Sequence, residues 1–386
     1  MPSDNATRYL RSGNRGRNRK SYRAIKKQGR KRDIHEEKFS RFVKRVLDAC
    51  RLFVFDGVDE SELSPRNFTG RYCSTTLDSE VSNIQRQLDV LISKDPISDP
   101  KTSRAGWKMV DAFGELKAVE SPAGTDARGT EHYFRKVVEP ELQNYAYCIF
   151  ESQEDRRYIP CFSLAGTDAR LSIYDRSGVI HSSCFSTLDY TFPFFHLLLG
   201  FAYIPDEYLG YDLSITSEPD KLRTVTVAGV QYQIESTIYR SVMITGRATT
   251  FWLARDPEGK LCVIKDAWIK TTRGQTEVNF LKLVNELDIK GVCQMIAYED
   301  VMVNGRLDST DLNRGLQSGL EDRLHRRIVF KHALVPLTHF KSLKELLSIF
   351  KDCLIGMYWS YYLHFVLIVT LFDSTLRACI KSSDTS

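Results

Sequence analysis

A lysine and a glutamate twelve residues apart are the side chains in this sequence best placed to do chemistry. Lys265 follows the apolar run Leu261 to Ile264, which predicts a buried strand ending on the lysine. A buried ammonium group needs an anion nearby, because an unpaired charge is costly in apolar surroundings. Glu277 lies at the start of the helix predicted next, so we expect its carboxylate to pair with Lys265.

The helix that carries Glu277 is predicted from the spacing of its apolar residues. Positions i, i+3, i+4, i+7 and i+10 fall on one face of a helix. In this segment they are occupied by Glu277, Phe280, Leu281, Val284 and Leu287. Glu286 lies about half a turn out of phase with Glu277, and we expect it to face water.

A glycine turn precedes the lysine strand. Val242 and Ile244 lie before Gly246, and the run Thr250 to Ala254 lies after it, which predicts two strands joined at the glycine. A second turn, Asp256 to Gly259, then leads into the lysine strand. The stretch therefore predicts three antiparallel strands followed by one helix.

This order of elements resembles the upper lobe of a protein kinase. In that lobe a glycine loop and a lysine bind the phosphates of the nucleotide, and a helical glutamate holds the lysine. Gly246, Lys265 and Glu277 are therefore the candidate cofactor-binding residues, with ATP as the cofactor. The alternative is an ordinary sheet with a surface lysine and an unrelated glutamate.

The net charge of +5 is concentrated at the N-terminus of the 386-residue chain. Residues 8–32 contain twelve Lys and Arg and no acidic residue, so the remainder of the chain is acidic overall. Because residues 1–32 also contain few apolar residues, they are predicted to be a disordered basic tail. Nuclear import, binding to nucleic acid and a merely solvated tail all remain open.

The nine cysteines include no C-x-x-C pair, which argues against a zinc module and a disulfide framework. The N-terminus has no apolar core of a signal peptide. Both features favour an intracellular protein, cytoplasmic or nuclear.

The predicted fold class is α+β: a kinase-like upper lobe, made of an antiparallel sheet and one main helix, with an α/β extension upstream. The predicted segments are a helical N-terminal segment (33–93), a linker (94–106), an upstream region (107–223), the lobe with its interlobe connector (224–352) and an apolar C-terminal tail (353–386).

Several elements are predicted outside the lobe. Upstream, four helices are predicted: within residues 34–55, around Val81 to Ile92, over Tyr133 to Phe150, and over Phe192 to Tyr203. The last of these is predicted to be buried, with His196 in the core. Strands are predicted over Tyr158 to Ser182, with a turn at Asp175 to Gly178, and a hairpin is predicted over Val225 to Ile234. Downstream, strands are predicted within Gln294 to Val303 and over Arg327 to Lys331, with a charged stretch to Arg326 between them. A connector is predicted over His332 to His339, and its backbone could bind the edge of an adenine. A helix is predicted from Leu343. Asp308 to Arg314 is predicted to be solvated, without a site.

Five segments between Trp107 and Asp352 resemble the fungal-type protein kinases. They are Ile159-Pro160-Cys161-Phe162-Ser163-Leu164, Tyr174-Asp175-Arg176-Ser177-Gly178-Val179, Phe195 to Leu213, Ile244 to Thr250 and Val263 to Asp266. The second of these is fairly specific, since ordinary kinases lack it. The resemblance implies a kinase-like fold, ATP as cofactor and protein Ser or Thr as phosphoryl acceptor.

The glycine loop departs from the family pattern. Ala248 and Phe251 stand where further glycines are expected, and only Gly246 remains. Backbone amides approach phosphates closely only where side chains leave room. We therefore expect ATP binding to be weak or lost.

A second departure concerns catalysis. No H-R-D loop and no D-F-G motif follow the connector, and His325-Arg326-Arg327 lies before it without the aspartate. Asp111 to Gly114 and Phe55 to Gly57 imitate the metal-binding motif, but both lie upstream of Lys265. We expect no catalytic residue, no ligands for the magnesium that the family uses, a largely missing lower lobe and an inactive, C-terminally truncated chain.

Two further interpretations stay open. The chain could be a non-enzymatic adaptor for an unidentified protein partner, with its basic tail directed to the nucleus or to RNA. It could also be anchored in a membrane by the twenty residues Cys353 to Phe372, which carry no Asp, Glu, Lys or Arg. Polar side chains near the middle of that segment argue against insertion, and we expect an exposed apolar stretch instead.

Overall fold

The computed structural model describes most of the chain between residues 35 and 362. The described ranges are 35–50, 65–73, 75–78, 86–95, 106–117, 131–217, 222–273, 276–289, 292–313, 319–331, 334–335, 339–362 and 379–380. The predicted basic tail, residues 1–32, lies outside them.

The helices and strands alternate irregularly along the chain. The helices are α1 (35–50), α2 (Glu139–Ser152), α3 (Thr191–Tyr203), α4 (Thr276–Glu286) and α5 (Leu343–Tyr362). The strands are β1 (Asn67–Thr69), β2 (Thr76–Leu77), β3 (Arg86–Gln87), β4 (Val90–Ser93), β5 (Ala112–Lys117), β6 (Tyr158–Ala165), β7 (Asp168–Asp175), β8 (Gly178–His181), β9 (Phe185–Ser186), β10 (Ile215–Thr216), β11 (Thr224–Val227), β12 (Val230–Arg240), β13 (Thr250–Arg255), β14 (Leu261–Lys270), β15 (Met295–Asp300), β16 (Met302–Val303), β17 (Arg306–Leu307), β18 (Arg323–Phe330), β19 (Leu334–Val335) and β20 (Cys379–Ile380). The fold is a mixture of several sheets and few helices, as the α+β prediction requires.

The described residues form two compact units. The first is drawn from Met1–Thr130, Ser163–Ala169 and Phe185–Tyr203, and the second from Glu131–Phe162, Arg170–Cys184 and Ile204–Ser386. Strands β6 and β7 contribute residues to both units.

In the first unit, β4 pairs antiparallel with β1 and with β5. The predicted linker 94–106 therefore joins two hydrogen-bonded strands. The second helix predicted around Val81 to Ile92 is wrong, because Leu91 and Ile92 lie in β4. All four residues of β4 are buried, and a short apolar run buried on both faces cannot be told from a helix by its period.

One apolar cluster of the first unit lies between α1 and α3. Val43 and Leu47 of α1 pack with Phe194, Leu198 and Ala202 of α3. The helix predicted over Phe192 to Tyr203 is confirmed as α3, but it is not buried all round, because only one of its faces packs against this cluster. Phe192 and His196 lie on the exposed face, so the prediction of a core histidine is wrong.

The second unit is built on a seven-stranded antiparallel sheet. Its strand order is β10-β11-β12-β13-β14-β18-β15, and α4 follows β14 in the chain. Two apolar clusters cover its faces: one packs α4 against Val263 and Ile328, and the other contains Cys262, Ile264 and Val329. Because neighbouring side chains in a strand point to opposite faces, β14 contributes alternately to both clusters.

The hairpin between β11 and β12 confirms the prediction for Val225 to Ile234. Ala228 and Gly229 both have positive φ, 50° and 78°, as the two central residues of a tight hairpin turn require. The turn before β14 is also confirmed: Gly259 has a φ of 80°, and its N–H donates to the carbonyl of Asp256 at 2.9 Å.

Three strand predictions in this sheet need correction. Val242 and Ile244 form no strand, because β12 ends at Arg240 and residues 241–249 are a loop. Strand β14 does not end on Lys265 but continues to Lys270, since β18 pairs along its whole second half. The last strand begins at Arg323 rather than Arg327.

The helix predictions hold for α2, α4 and α5. Within α4, Phe280, Leu281 and Val284 are buried, and Glu286 is exposed as expected. Leu287 was placed on the apolar face, but it lies beyond the helix end and is exposed.

Candidate functional site

The predicted pair of Lys265 and Glu277 is confirmed in the second unit. The ammonium Nζ of Lys265 donates a hydrogen bond to Oε1 of Glu277. The lysine side chain is 5% exposed and the glutamate side chain 17%. The pair is therefore largely enclosed, yet its carboxylate end can still be reached from solvent.

The position of the pair follows from the way side chains alternate between the two faces of a strand. Lys265 lies two residues after Val263, so its side chain emerges on the face of the sheet that α4 covers. Glu277 lies in the first turn of α4, and Phe280 and Val284 hold that helix against the sheet. Local sequence thus fixes the face of each side chain, and apolar packing brings the two together.

Burial and neighbouring charges shift the pKa of both groups. Burial lowers the pKa of Lys265, and the attraction of Glu277 opposes that shift. Burial by itself raises the pKa of Glu277, but the positive charges of Lys265 and Arg247 outweigh it and lower the pKa. Glu277 is therefore held as a carboxylate between two cations.

Arg247 is a site residue that the sequence analysis did not identify. Its Nη2 lies 3.8 Å from Oε2 of Glu277, and its side chain is 29% exposed. The backbone holds it in place, since the N–H of Trp268 donates to the carbonyl of Arg247 at 2.8 Å. No sequence period marks this residue, because it lies in a loop.

Gly246 lies beside Arg247 in the loop 241–249. Its φ is 116°, and a Cβ atom built at this position meets nothing within 4 Å. The space next to the glycine backbone is therefore open. Ala248 also has a positive φ, 43°, while Phe251 is buried on β13 opposite Lys265.

The opposite face of the sheet carries a buried ionic cluster. His325 donates from Nε2 to Asp266 at 2.8 Å and from Nδ1 to Asp308 at 2.9 Å, and its ring stacks on Trp268. Arg157 donates to the other oxygen of Asp308 at 2.9 Å. Asp308 is 2% exposed, so the prediction that Asp308 to Arg314 is solvated is wrong.

Arg327 extends this ionic cluster. Its Nε donates to Asp266 at 2.8 Å, and its Nη2 pairs with Asp212. Burial would raise the pKa of Asp266, but His325 and Arg327 lower it well below its usual range. Alternation on β18 explains why His325 and Arg327 share this face while Arg326 faces α4. The segment that imitates a catalytic loop is thus part of a strand.

The remaining predicted features lie partly outside the described residues. In the connector, Leu334–Val335 form β19, which pairs with β20. Across the described ranges, no group of three His, Cys, Asp or Glu side chains is arranged so that it could hold a metal ion. No helix in the part of the chain that the structure describes is long and apolar enough to cross a membrane. Residues 363–372 of the segment considered as an anchor lie beyond that part.

Comparison with known proteins gives the class of this chain as protein kinase-like. The family model described as fungal protein kinase matches residues 87–321. This stretch is more than half of the chain, and the chain therefore belongs to the fungal protein kinase family. No curated protein matches it.

Proposed function

We propose that the sheet and α4 of the second unit form the upper lobe of a protein kinase fold and bind the phosphates of ATP. The observation that carries this proposal is the enclosed ion pair between Lys265 and Glu277, formed by a central strand and the helix that follows it. The order of the chain supports it: strand, glycine loop, strand, lysine strand and glutamate helix.

The charges around the pair support an anionic ligand. Two cations, Lys265 and Arg247, share the carboxylate of Glu277. Arg326 lies on the same face but is already paired with Asp300, with Nε to Oδ1 at 2.6 Å and Nη2 to Oδ2 at 3.0 Å. Lys265 and Arg247 thus share one carboxylate, and a phosphate group would balance the second positive charge.

The loop supports contact with the phosphates at one point. The open space at Gly246 leaves room for a phosphate oxygen beside the loop. The N–H of Gly246 itself donates to the carbonyl of Arg176, so the group offered to the phosphate is the guanidinium of the neighbouring Arg247. ATP, when bound, supplies the phosphoryl group of the family's reaction. Lys265 would hold its phosphates, and Glu277 would keep the lysine in place.

The finer part of the proposal concerns activity. By resemblance, the family's phosphoryl acceptor is a Ser or Thr of a protein. The sequence contains no H-R-D aspartate and no D-F-G aspartate after Lys265, and those residues orient the acceptor and bind the metal. We infer that a polypeptide of this sequence binds ATP weakly and does not transfer its phosphate.

Titration calorimetry with ATP tests the binding proposal. Lys265→Ala removes the cation at the phosphates, and we expect at least about tenfold weaker binding, since a lost charged hydrogen bond costs roughly 1.5–3 kcal/mol. Lys260→Ala is the matched control, because Lys260 is a largely exposed lysine directly before the same strand, paired with Glu258.

Lys260→Ala should leave the affinity for ATP unchanged. Equal affinities of the unmutated protein and the Lys265→Ala variant would show that this lysine does not bind the phosphates. Absence of any ATP binding by the unmutated protein would refute the proposal itself and favour the non-enzymatic adaptor.

A further inference from the structure

The hairpin turn Asp175 to Gly178, which joins β7 to β8, is held in the second unit by several hydrogen bonds. Asp175 is fully buried, and its Oδ1 accepts the N–H groups of Ser177 at 2.7 Å and Gly178 at 3.2 Å. Ser177 Oγ donates to the carbonyl of Glu321 at 2.6 Å and lies 2.8 Å from the hydroxyl of Thr310. The residue between them, Arg176, is thereby held in one position.

The side chain of Arg176 reaches the loop 241–249 of the proposed ATP site. Its Nη1 donates to the carbonyl of Met243 at 2.9 Å, and its Nη2 donates to the carbonyl of Arg156 at 3.1 Å. The guanidinium lies 3.8 Å from the centre of the Phe150 ring. Burial lowers the pKa of Arg176 to about 9, so its charge is retained at neutral pH.

The backbone of Arg176 makes a second contact with the same loop. The N–H of Gly246 donates to the carbonyl of Arg176 at 2.8 Å. One residue thus bonds the loop through its side chain at Met243 and through its backbone at Gly246. A two-point attachment fixes the loop more firmly than either bond alone, because each holds the geometry that the other needs.

The entry to the loop is fixed by a separate arginine. Arg240, the last residue of β12, donates to the carbonyls of Glu151 at 2.6 Å and of Gln153 at 2.9 Å, and also bonds the carbonyl of Phe150. These carbonyls end α2, where a cation is favoured by the helix dipole. The loop is therefore held at its start by α2 and at its glycine by the turn.

We propose that the turn Asp175 to Gly178 positions the Gly246 loop for the phosphates of ATP, with Arg176 as the positioning residue. This inference rests on the proposed function. It assigns a role to the Tyr-Asp-Arg-Ser-Gly segment, which the ATP site itself does not use. Arg176 does not touch the phosphates; it acts by restricting the loop that carries Gly246 and Arg247.

Two measurements on the full chain test the inference. The first is amide hydrogen exchange of residues 243–247 without nucleotide, and the second is the dissociation constant for ATP by calorimetry. Arg176→Ala removes the bond to Met243, so we expect about tenfold faster exchange at Gly246 and at least about fivefold weaker ATP binding. Arg176→Lys, which can keep one of the two side-chain bonds, should give intermediate values for both.

Arg170→Ala is the matched control. Arg170 lies on β7, the strand that leads into the turn, and is also buried. It packs over an aromatic ring, that of Phe134, and its Nη2 donates to Glu131 at 3.0 Å. This variant should lose comparable thermal stability, yet leave the exchange of Gly246 and the affinity for ATP unchanged. Equal effects of the two variants on exchange would mean that Arg176 merely stabilises the fold.

The possible outcomes separate this inference from the proposed function. If Arg176→Ala leaves the loop protected, or binds ATP more tightly, the positioning role is wrong even when Lys265→Ala weakens binding. If the unmutated protein does not bind ATP at all, the proposed function fails, and the positioning role fails with it. Should Arg176→Ala not fold, Arg176→Lys provides the same comparison with a smaller loss of contacts.

Discussion

Two adjacent residues of β14, Lys265 and Asp266, belong to different charged clusters on opposite faces of one sheet. Lys265 faces α4 and pairs with Glu277, while Asp266 faces the other side and pairs with His325 and Arg327. Since each charge is buried, each requires a partner from another element. The strand therefore links the proposed phosphate site to a purely structural network through its backbone.

His325 makes the stability of the fold dependent on pH. Burial alone would lower its pKa, but the attraction of Asp266 and the hydrogen bonds to Asp266 and Asp308 raise it to about 9. The unfolded histidine titrates near 6.5, so the folded protein binds this proton more tightly. The stabilisation is complete below about pH 6.5 and is lost as the pH rises through about 9.

We therefore expect the free energy of unfolding to fall by about 3 kcal/mol between pH 6 and pH 9.5, the equivalent of the raised pKa. Urea unfolding at several pH values measures it. In His325→Gln the slope over this range should largely disappear. His196→Gln changes an exposed histidine on α3 and should keep the slope. A slope of unchanged size in His325→Gln would contradict the charged state assigned to His325.

Among the elements, α5 exposes an apolar face. Leu347, Leu354 and Tyr358 are 68%, 64% and 63% exposed, and the phase of the apolar residues from Leu343 onward is that predicted from the sequence. A contiguous exposed apolar face favours association of a protein in solution. The helix from Leu343 was therefore predicted correctly, although the spacing of its apolar residues could not indicate whether their face is covered by another element.

We expect Leu347→Lys to reduce self-association of the purified chain, because it places a charge in the centre of the apolar face. Static light scattering as a function of concentration measures the change. Ser348→Lys is the control, since it adds the same charge at the neighbouring exposed position, outside the apolar stripe. If both variants reduce scattering equally, net charge rather than the apolar face governs association.

For the chain as a whole, membership of the kinase family does not imply that phosphate is transferred. The chain belongs to the fungal protein kinase family over residues 87–321. Phosphoryl transfer also requires an aspartate that orients the acceptor and metal ligands that neutralise the developing charge. The sequence after Lys265 contains neither motif, and we therefore propose that a polypeptide of this sequence binds ATP without turnover.

We accordingly expect no transfer of radiolabelled phosphate from ATP to a general protein substrate, or to the chain itself, above the level without protein. Lys265→Ala should give the same background. Incorporation that disappears in Lys265→Ala would show that the chain is an active kinase and that its catalytic groups do not follow the family motifs.

Several elements of the second unit could be predicted because their signals are local. The hairpin at Ala228-Gly229, the turn at Gly259 and the apolar phase of α4 each depend on residues within a few positions of one another. The same phase argument placed Glu277 opposite Lys265. The predictions for residues 1–32 and for residues 363–372 stay predictions, because these residues lie outside the described ranges.

Tertiary structure alone decided the charged networks and the anchoring of the glycine loop. Arg327 and Asp212 are 115 residues apart in the chain, and Arg176 lies 67 residues before Met243. No periodicity connects such residues, because the pairing of buried charges depends on which strands become neighbours. Asp308 was read as solvated for this reason: a single carboxylate in a polar segment carries no local sign of the arginine and histidine that the fold brings to it.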